Sequence, residues 1–261
     1  LAGVLPVLAS KERRMRKEFL RLRTPNNAHT LSVDFLCSSG NEQRVISIFI
    51  RFIGRIRPLV LSLDMKQLVA ESPTLNALAG RVPGAWSNVY QYGMGMVIPV
   101  EGTLENYQEK LGGKYNKNIR RLNRKVESLN GYSFTEIWGH GEDPETFGRF
   151  AMVEGSGWKS EQGSSILANQ QLQMFLKYLA ERLSDKGWLH WHFISAEGTT
   201  LAAHMGIPFG DSYILYKIGY NEAFPSYSPG TVLFSKMISW IYRNNTYRAI
   251  NCLSDSTWVR N

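Results

Sequence analysis

The stretch WLHWHFISAEGTTLAAHMGIPFGDSYILYKIGY, from Trp188 to Tyr220, decides the fold. It divides into three runs rich in apolar residues, Trp188 to Ser195, Thr200 to Pro208 and Ser212 to Tyr220, separated by Glu197-Gly198 and Gly210-Asp211. Glycine beside a polar residue suits the positive φ that tight hairpins need, so the runs read as strands of an antiparallel meander. Downstream, a loop leads to Gly230. Val232, Leu233, Met237, Ile238 and Ile241 then recur at helical spacing through Thr231 to Asn244, and Tyr247 to Leu253 reads as a last strand. Upstream, Leu172, Phe175, Leu176, Leu179 and Leu183 define a helix that Gly187 stops. Asp143-Pro144 reads as the start of an earlier helix, with Phe147, Phe150 and Val153 on its buried face and an end near Gly155 to Gly157. Tyr132 to Trp138 alternates as a strand before it.

Further toward the N-terminus, Leu104, Tyr107, Leu111, Tyr115, Ile119, Leu122, Val126 and Leu129 form one apolar stripe. Thr103 is placed to cap it, and Gly112-Gly113 splits it into two helices. Lys114, Lys117, Arg121 and Arg124 follow the same period on another azimuth, so one face packs and another presents cations. The first third reads as mixed. Leu31 to Cys37, the β-branched run Val45 to Ile53, Pro58 to Leu63 and Met96 to Val100 are expected as strands, with a weak helix from Leu68 to Ala79 around Pro73. Pro83-Gly84 and Gly93-Met94-Gly95 mark loops.

The chain has 261 residues, 43% hydrophobic and 20% charged, which fits one large domain or two modest ones with an ordinary core and excludes pervasive disorder. Its net charge of +8 is concentrated. Lys11 to Arg23 holds seven basic and two acidic residues, and Lys114 to Lys125 holds six basic and none acidic. Such a field attracts phosphates, in nucleic acid, coenzyme A, an anionic surface or an acidic carrier protein, unless it is only a solvated face. Cys37 and Cys252 lie far apart outside any Cys/His spacing, which argues against a zinc site or a disulfide framework; no metal is expected, and the default compartment is the reducing cytoplasm. Arg51, Arg55 and Arg57 interrupt the most apolar stretch, so no membrane span is expected. The chain begins at Leu1 without a secretory pattern and reads as a cut end of a longer parent.

Five stretches, in this order, carry a resemblance: Lys114-Tyr115-Asn116-Lys117-Asn118-Ile119-Arg120-Arg121, Glu154-Gly155-Ser156-Gly157-Trp158-Lys159 with Gly163, Ala202-Ala203-His204-Met205-Gly206, Tyr216-Lys217-Ile218-Gly219-Tyr220, and Tyr227-Ser228-Pro229-Gly230-Thr231. From Thr103 onward the chain resembles the GNAT acyltransferase superfamily, in its FemAB-like branch found beside polysaccharide-biosynthesis systems. The resemblance implies an α+β fold with a mixed, mostly antiparallel sheet flanked by helices. It also implies a tandem in which residues 1–100 are a degenerate first GNAT-like half, residues 101–261 are the acyltransferase domain, and the C-terminus is cut short.

Acyl transfer needs a positioned carbonyl, a stabilised oxyanion and a route for the acceptor proton. Ser228-Pro229-Gly230-Thr231 opens a helix, where free N–H groups and partial positive charge collect, so Tyr227, Ser228, Gly230 and Thr231 are the candidate donor site. The superfamily's glycine-rich loop there grips the pyrophosphate of coenzyme A, but its usual Gln/Arg-x-x-Gly-x-Gly/Ala is missing, which leaves the donor open. Lys217 interrupts an apolar strand, either to stabilise developing negative charge or to face solvent. His204, titrating near neutral pH, is the candidate general base, or a structural strand histidine. The resemblance places Glu154, Trp158 and Lys159 on the acceptor side, to orient the acceptor, stack on a sugar and meet a phosphate, and adds Tyr220 and Asp255 as substrate contacts.

The expected function is therefore a cytoplasmic transfer of an acyl group from acyl-CoA, such as acetyl-CoA, to an amine or hydroxyl of a small-molecule or carrier-linked sugar or cell-envelope precursor. Attack is direct, since neither cysteine lies in a nucleophile motif and no G-x-S-x-G occurs. Aminoacyl-tRNA as donor, as in FemAB proteins proper, is the alternative. An acyl carrier protein or a tRNA are the partners that the basic segments suit. A non-catalytic nucleic-acid-binding module or scaffold competes, without any RRM, KH, helix-turn-helix or zinc signature.

Overall fold

The computed structural model describes residues 3–27, 29–79, 86–91, 93, 95–141, 145–157, 163 and 165–253. The chain divides into two compact units, Leu1–Gly93 and Met94–Asn261. The division falls before Val97–Pro99, a strand that the sequence boundary at residue 100 assigns to the first half and that belongs to the second unit's sheet.

In the first unit, β1 (Gly3–Val4) pairs antiparallel with β4 (Leu36–Cys37), and β2 (Leu8–Arg14), β3 (Lys17–Arg23) and β5 (Leu59–Asp64) form a second sheet. The basic run Lys11 to Arg23 is thus a β-hairpin. Met15 and Arg16 turn it with φ of 46° and 63°, and three of its seven cations are paired on the spot, since Lys11 meets Glu18 while Arg14 and Arg21 meet Glu12.

Val45 to Ile53, expected as a strand, lies in helix α1 (Glu42–Ile53). Ile46, Phe49, Ile50 and Ile53 turn inward at helical spacing, so the hydrophobic period overrides the strand preference of the β-branched residues. Of Leu31 to Cys37 only the last two residues are strand. The helix expected around Pro73 begins there as α2 (Pro73–Ala79), with the Ser72 and Thr74 hydroxyls donating to the Asp34 carboxylate.

The second unit is built on a six-stranded sheet in the order β6-β11-β10-β9-β8-β7, where β6 is Val97–Pro99, β7 Ser133–Trp138, β8 His190–Ala196, β9 Thr199–Phe209, β10 Ser212–Tyr220 and β11 Ala249–Asn251. Every pair is antiparallel except β10 with β11. The meander is present, bounded as the glycine turns dictate, with Gly198 and Gly210 at φ of 70° and 59°. Against one face lie α5 (Thr146–Glu154) and α6 (Gln170–Asp185), through Phe150, Leu176, Trp191, Phe193 and Met205. Against the other lies α7 (Pro229–Asn244), through Leu233, Met237, Ile241, Tyr213, Leu215 and Ile250. With helices on both faces the central strands are buried on both, which is why β8 and β9 read as nearly continuous apolar runs.

Helices α3 (Leu104–Leu111) and α4 (Gly113–Glu127) break where the glycine pair stands, and Thr103 makes a capping box with Asn106. Leu122 and Val126 seat α4 beside α7, with Lys236 of α7 paired to Glu127. The helix start at Asp143-Pro144 lies outside the described residues, as do Pro83, Gly84 and Met94.

Gly219 of β10 shows how tightly α5 crosses the sheet. A Cβ there would lie 2.7 Å from Glu154 Cα and 2.8 Å from its backbone nitrogen, and neither can yield without moving the helix. Gly113, at the start of α4, has nothing within 4 Å of that position. In urea denaturation, Gly219→Ala is expected to lower the unfolding free energy by about 1–3 kcal/mol. Gly113→Ala is expected to leave it unchanged or raise it by up to about 1 kcal/mol. Equal effects would contradict this packing.

Candidate functional site

Strand β10 is paired with β9 along its whole length but with β11 only from Ser212 to Ile214. The parallel partner is reached through α7, and a parallel pair always needs such a crossover. Past Ile214, the β11 side of β10 has no strand partner among the described residues. In the same half, the register with β9 shifts between Leu215 and Lys217, so Tyr216 is the extra residue of a bulge. A bulge at this point bends the strand and re-aims its side chains.

Two loops close around the free end of this strand. On the α5 side, the Ser156 hydroxyl donates to Val153 O at 2.8 Å and to Tyr220 O at 3.3 Å, and the Glu222 carboxyl carbon fills the space 2.5 Å from where a Cβ on Gly157 would stand. Glu154 is buried, and its Oε2 accepts the N–H of Ile166 at 2.9 Å. Lys217 is half-buried opposite Met205, a residue of the α5–α6 core. The register therefore puts Lys217 on the face of β10 that α5 crosses, and Glu154 reaches the same strand at Gly219.

On the α7 side, a 3-10 turn at Pro225–Tyr227 leads to Ser228, which adopts the left-handed conformation at φ 46° before Pro229 opens the helix. Ser228 makes no side-chain cap, and the N–H groups of Gly230 and Thr231 have no hydrogen-bond partner among the described residues. The Tyr220 ring lies over Gly230, 3.3 Å from where a Cβ would be. The need for glycine at 230 is thus set by Tyr220, not by an open approach as its sequence suggests. Lys125 of α4 fixes the turn: its Nζ donates to Ser226 O at 3.0 Å and stands 4.6 Å above the Tyr227 ring.

The row of cations on α4 leads to this corner. Lys114, Lys117, Arg121 and Arg124 are exposed, and none meets a carboxylate among the described residues. Over 11 residues of helix they span about 15 Å.

The structure thus brings Glu154, Lys217, Tyr220, Tyr227, Ser228, Gly230 and Thr231 to one end of β10. It does not bring His204 there as a working base. His204 is 1% exposed, inside β9 and beneath Phe234, with ring centroids 6.4 Å apart, and burial pushes its pKa down to about 3. A general base must touch the proton it removes, and a ring buried within the sheet under Phe234 is not placed to do so. Trp158, Lys159 and Asp255 lie outside the described residues.

Sequence reasoning also passed over two further buried histidines, His190 and His192, on the face of β8 that α7 covers. Burial lowers the pKa of His190 to about 3, and burial with the neighbouring His190 and His204 lowers that of His192 well below its ordinary value. The available signal was His-x-His in a strand, a spacing that puts both rings on one face.

Comparison with known proteins places these features. The profile described as an acetyltransferase (GNAT) domain matches residues 113–255, more than half of the chain. A search of the curated proteins returns no match. Among solved structures, FemX is similar with a TM-score of 0.57 at 10% identity, over 98% of this chain and 78% of that one. L-PGS of Bacillus licheniformis has a TM-score of 0.51 at 12% identity, over 96% of this chain and 67% of that one. The C-terminal domain of a protein assigned as a lysylphosphatidylglycerol synthetase of Agrobacterium fabrum has a TM-score of 0.53 at 10% identity, over 94% and 66%. At these identities the likeness is one of fold, and the chain spans about two thirds of the length of the last two.

The Lys125 clamp is measurable. Lys125→Met removes the hydrogen bond to Ser226 O and the contact with Tyr227, and is expected to cost about 1–2 kcal/mol in chemical denaturation. No change would show that the turn before α7 is held by other contacts.

Proposed function

The chain belongs to the acetyltransferase (GNAT) domain family, and on that premise we propose that it transfers an acyl or aminoacyl group from a phosphate-bearing donor to an amine or hydroxyl, by direct attack at the end of β10. The observation that carries this reading is the coincidence of a β-bulge in β10 with an uncapped helix N-terminus. The N–H groups of Gly230 and Thr231, without a partner among the described residues, suit a phosphate.

In the step itself, the acceptor nitrogen or oxygen forms a bond to the donor carbonyl carbon. The bond from that carbon to the donor's sulfur or ribose oxygen breaks, and the acceptor's proton passes to the departing group or to solvent. Lys217 stabilises the negative charge on the carbonyl oxygen. Glu154, one oxygen held by Ile166, orients the acceptor. Trp158, Lys159 and Asp255 retain the acceptor-side roles that the FemAB resemblance implies.

Two donors fit this geometry. Acyl-CoA needs only the helix start. Aminoacyl-tRNA is favoured by one further observation, the unanswered cation row on α4, because a row about 15 Å long exceeds a pyrophosphate and matches a nucleic-acid backbone. The relatives in fold support this variant: the FemAB resemblance implies aminoacyl-tRNA, and a lysylphosphatidylglycerol synthetase by its name makes lysylphosphatidylglycerol. The acceptor is accordingly a component of the cell envelope. No helix among the described residues is long and apolar enough to cross a membrane. The free thiols of Cys37 and Cys252 support a reducing, cytoplasmic site of reaction.

Two measurements test this reading. With an authentic donor and acceptor, Lys217→Ala is expected to lower turnover by about 100-fold or more while the melting temperature stays within a few degrees; undiminished turnover would remove Lys217 from the reaction. The triple change Lys117→Glu, Arg121→Glu and Arg124→Glu is expected to weaken tRNA binding and to reduce its salt dependence by about two to three ions. If that variant binds RNA like the wild type while acyl-CoA raises the melting temperature of both, coenzyme A is the donor.

A further inference from the structure

Glu136 of β7 and His192 of β8 face each other across the strand pair, and His190 is two residues from His192 on the same face. One ligand atom from each of the three lies within 4.8 Å of the others. Both imidazoles are fully buried, whereas Glu136 is at the exposed rim of the edge strand and makes no hydrogen bond or ion pair among the described residues.

The hydrogen bonding of this group is incomplete. The Tyr213 hydroxyl stands 3.4 Å from His190 Nδ1 and 3.3 Å from His192 Nδ1. The Nε2 atoms of both rings are buried without a partner. Two orphaned ring nitrogens in a core are costly, and a buried polar atom of this kind normally has a reason.

If each Nδ1 carries the proton and donates to the Tyr213 oxygen, both Nε2 atoms present a lone pair. Histidine ligands are generally fixed in this way, by an outer partner on the second nitrogen. The rings are also clamped: Trp138 stacks on His190 at 4.2 Å and Trp240 lies 4.6 Å from it on α7, while Phe134 stacks on His192 at 5.8 Å. Gly206 is required for the same arrangement, because a Cβ there would land on the Tyr213 hydroxyl.

We propose that Glu136, His190 and His192 form a binding site for a divalent transition-metal ion of the zinc class, with Tyr213 orienting both imidazoles and the exposed rim at Glu136 and Trp138 as the way in. Two neutral imidazoles and one carboxylate are a donor set that suits such an ion and leaves a position open for water. Bonds of about 2.0–2.2 Å require ligand atoms about 3.3 Å apart, so metal binding draws together ligand atoms that stand within 4.8 Å of one another. This site is separate from the transfer chemistry at the end of β10 and does not rest on it.

The test uses the full chain without a histidine tag, stripped with a chelator and titrated with Zn²⁺, and with Co²⁺ for its visible ligand-field absorption. One equivalent is expected to bind, to raise the melting temperature and to give cobalt bands. Glu136→Gln, a change at the exposed rim, is expected to keep the metal-free melting temperature and to bind Zn²⁺ at least tenfold more weakly. His192→Gln gives a second check through loss of the cobalt bands. Absence of a saturable equivalent in the wild type, or Zn²⁺ binding by Glu136→Gln equal to that of the wild type, would overturn the site.

Discussion

The second unit depends on a single constraint of strand pairing. β10 and β11 run parallel, so α7 must carry the chain from one back to the start of the other. The pairing lasts three residues, and the remaining length of β10 projects past it without a strand partner on that side among the described residues. The helix that makes the crossover begins beside that end of β10, and its N-terminal N–H groups collect there. Strand edge, bulge and helix start are therefore consequences of one topological choice, and the candidate residues inherit their proximity from it.

The remaining packing keeps that junction in place. On one face α5 presses its backbone against Gly219, and the Ser156 hydroxyl ties its trailing loop to Tyr220. On the other, Lys125 and Glu127 of α4 bind the turn before α7 and the body of α7. Helix α4 thus has two roles set by azimuth: Leu122 and Val126 anchor it, and its opposite side carries cations that pair with no carboxylate among the described residues. The hairpin of the first unit is almost as basic in sequence, yet Glu12 and Glu18 pair with three of its seven cations. Counting charge along the chain treats the two runs alike, and only pairing separates them.

Much of the second unit was legible because glycines punctuate it. Gly112, Gly187, Gly198 and Gly210 all adopt positive φ, and each stands where the sequence predicts an element to end. The start of α7 and the stretch around Lys217 were legible for the same reason, as departures from a clean periodic pattern. The run from Val45 to Ile53 was not, since its β-branched composition points to strand while its inward-facing positions follow a helical period. His204 misled because its burial depends on α7 covering that face of the sheet, a tertiary fact that no local spacing encodes. The same covering turns His190 and His192 from ordinary strand residues into a buried polar cluster. Register then adds Glu136 from a strand more than fifty residues away.

The most direct measurement is a crystal structure with a donor or a non-reactive donor analogue bound. A donor phosphate is predicted within hydrogen-bonding distance of the Gly230 or Thr231 N–H, with the reactive carbonyl reaching the bulge beside Lys217. A donor bound elsewhere, with Tyr220 still seated on Gly230 and both N–H groups closed off, would contradict the account.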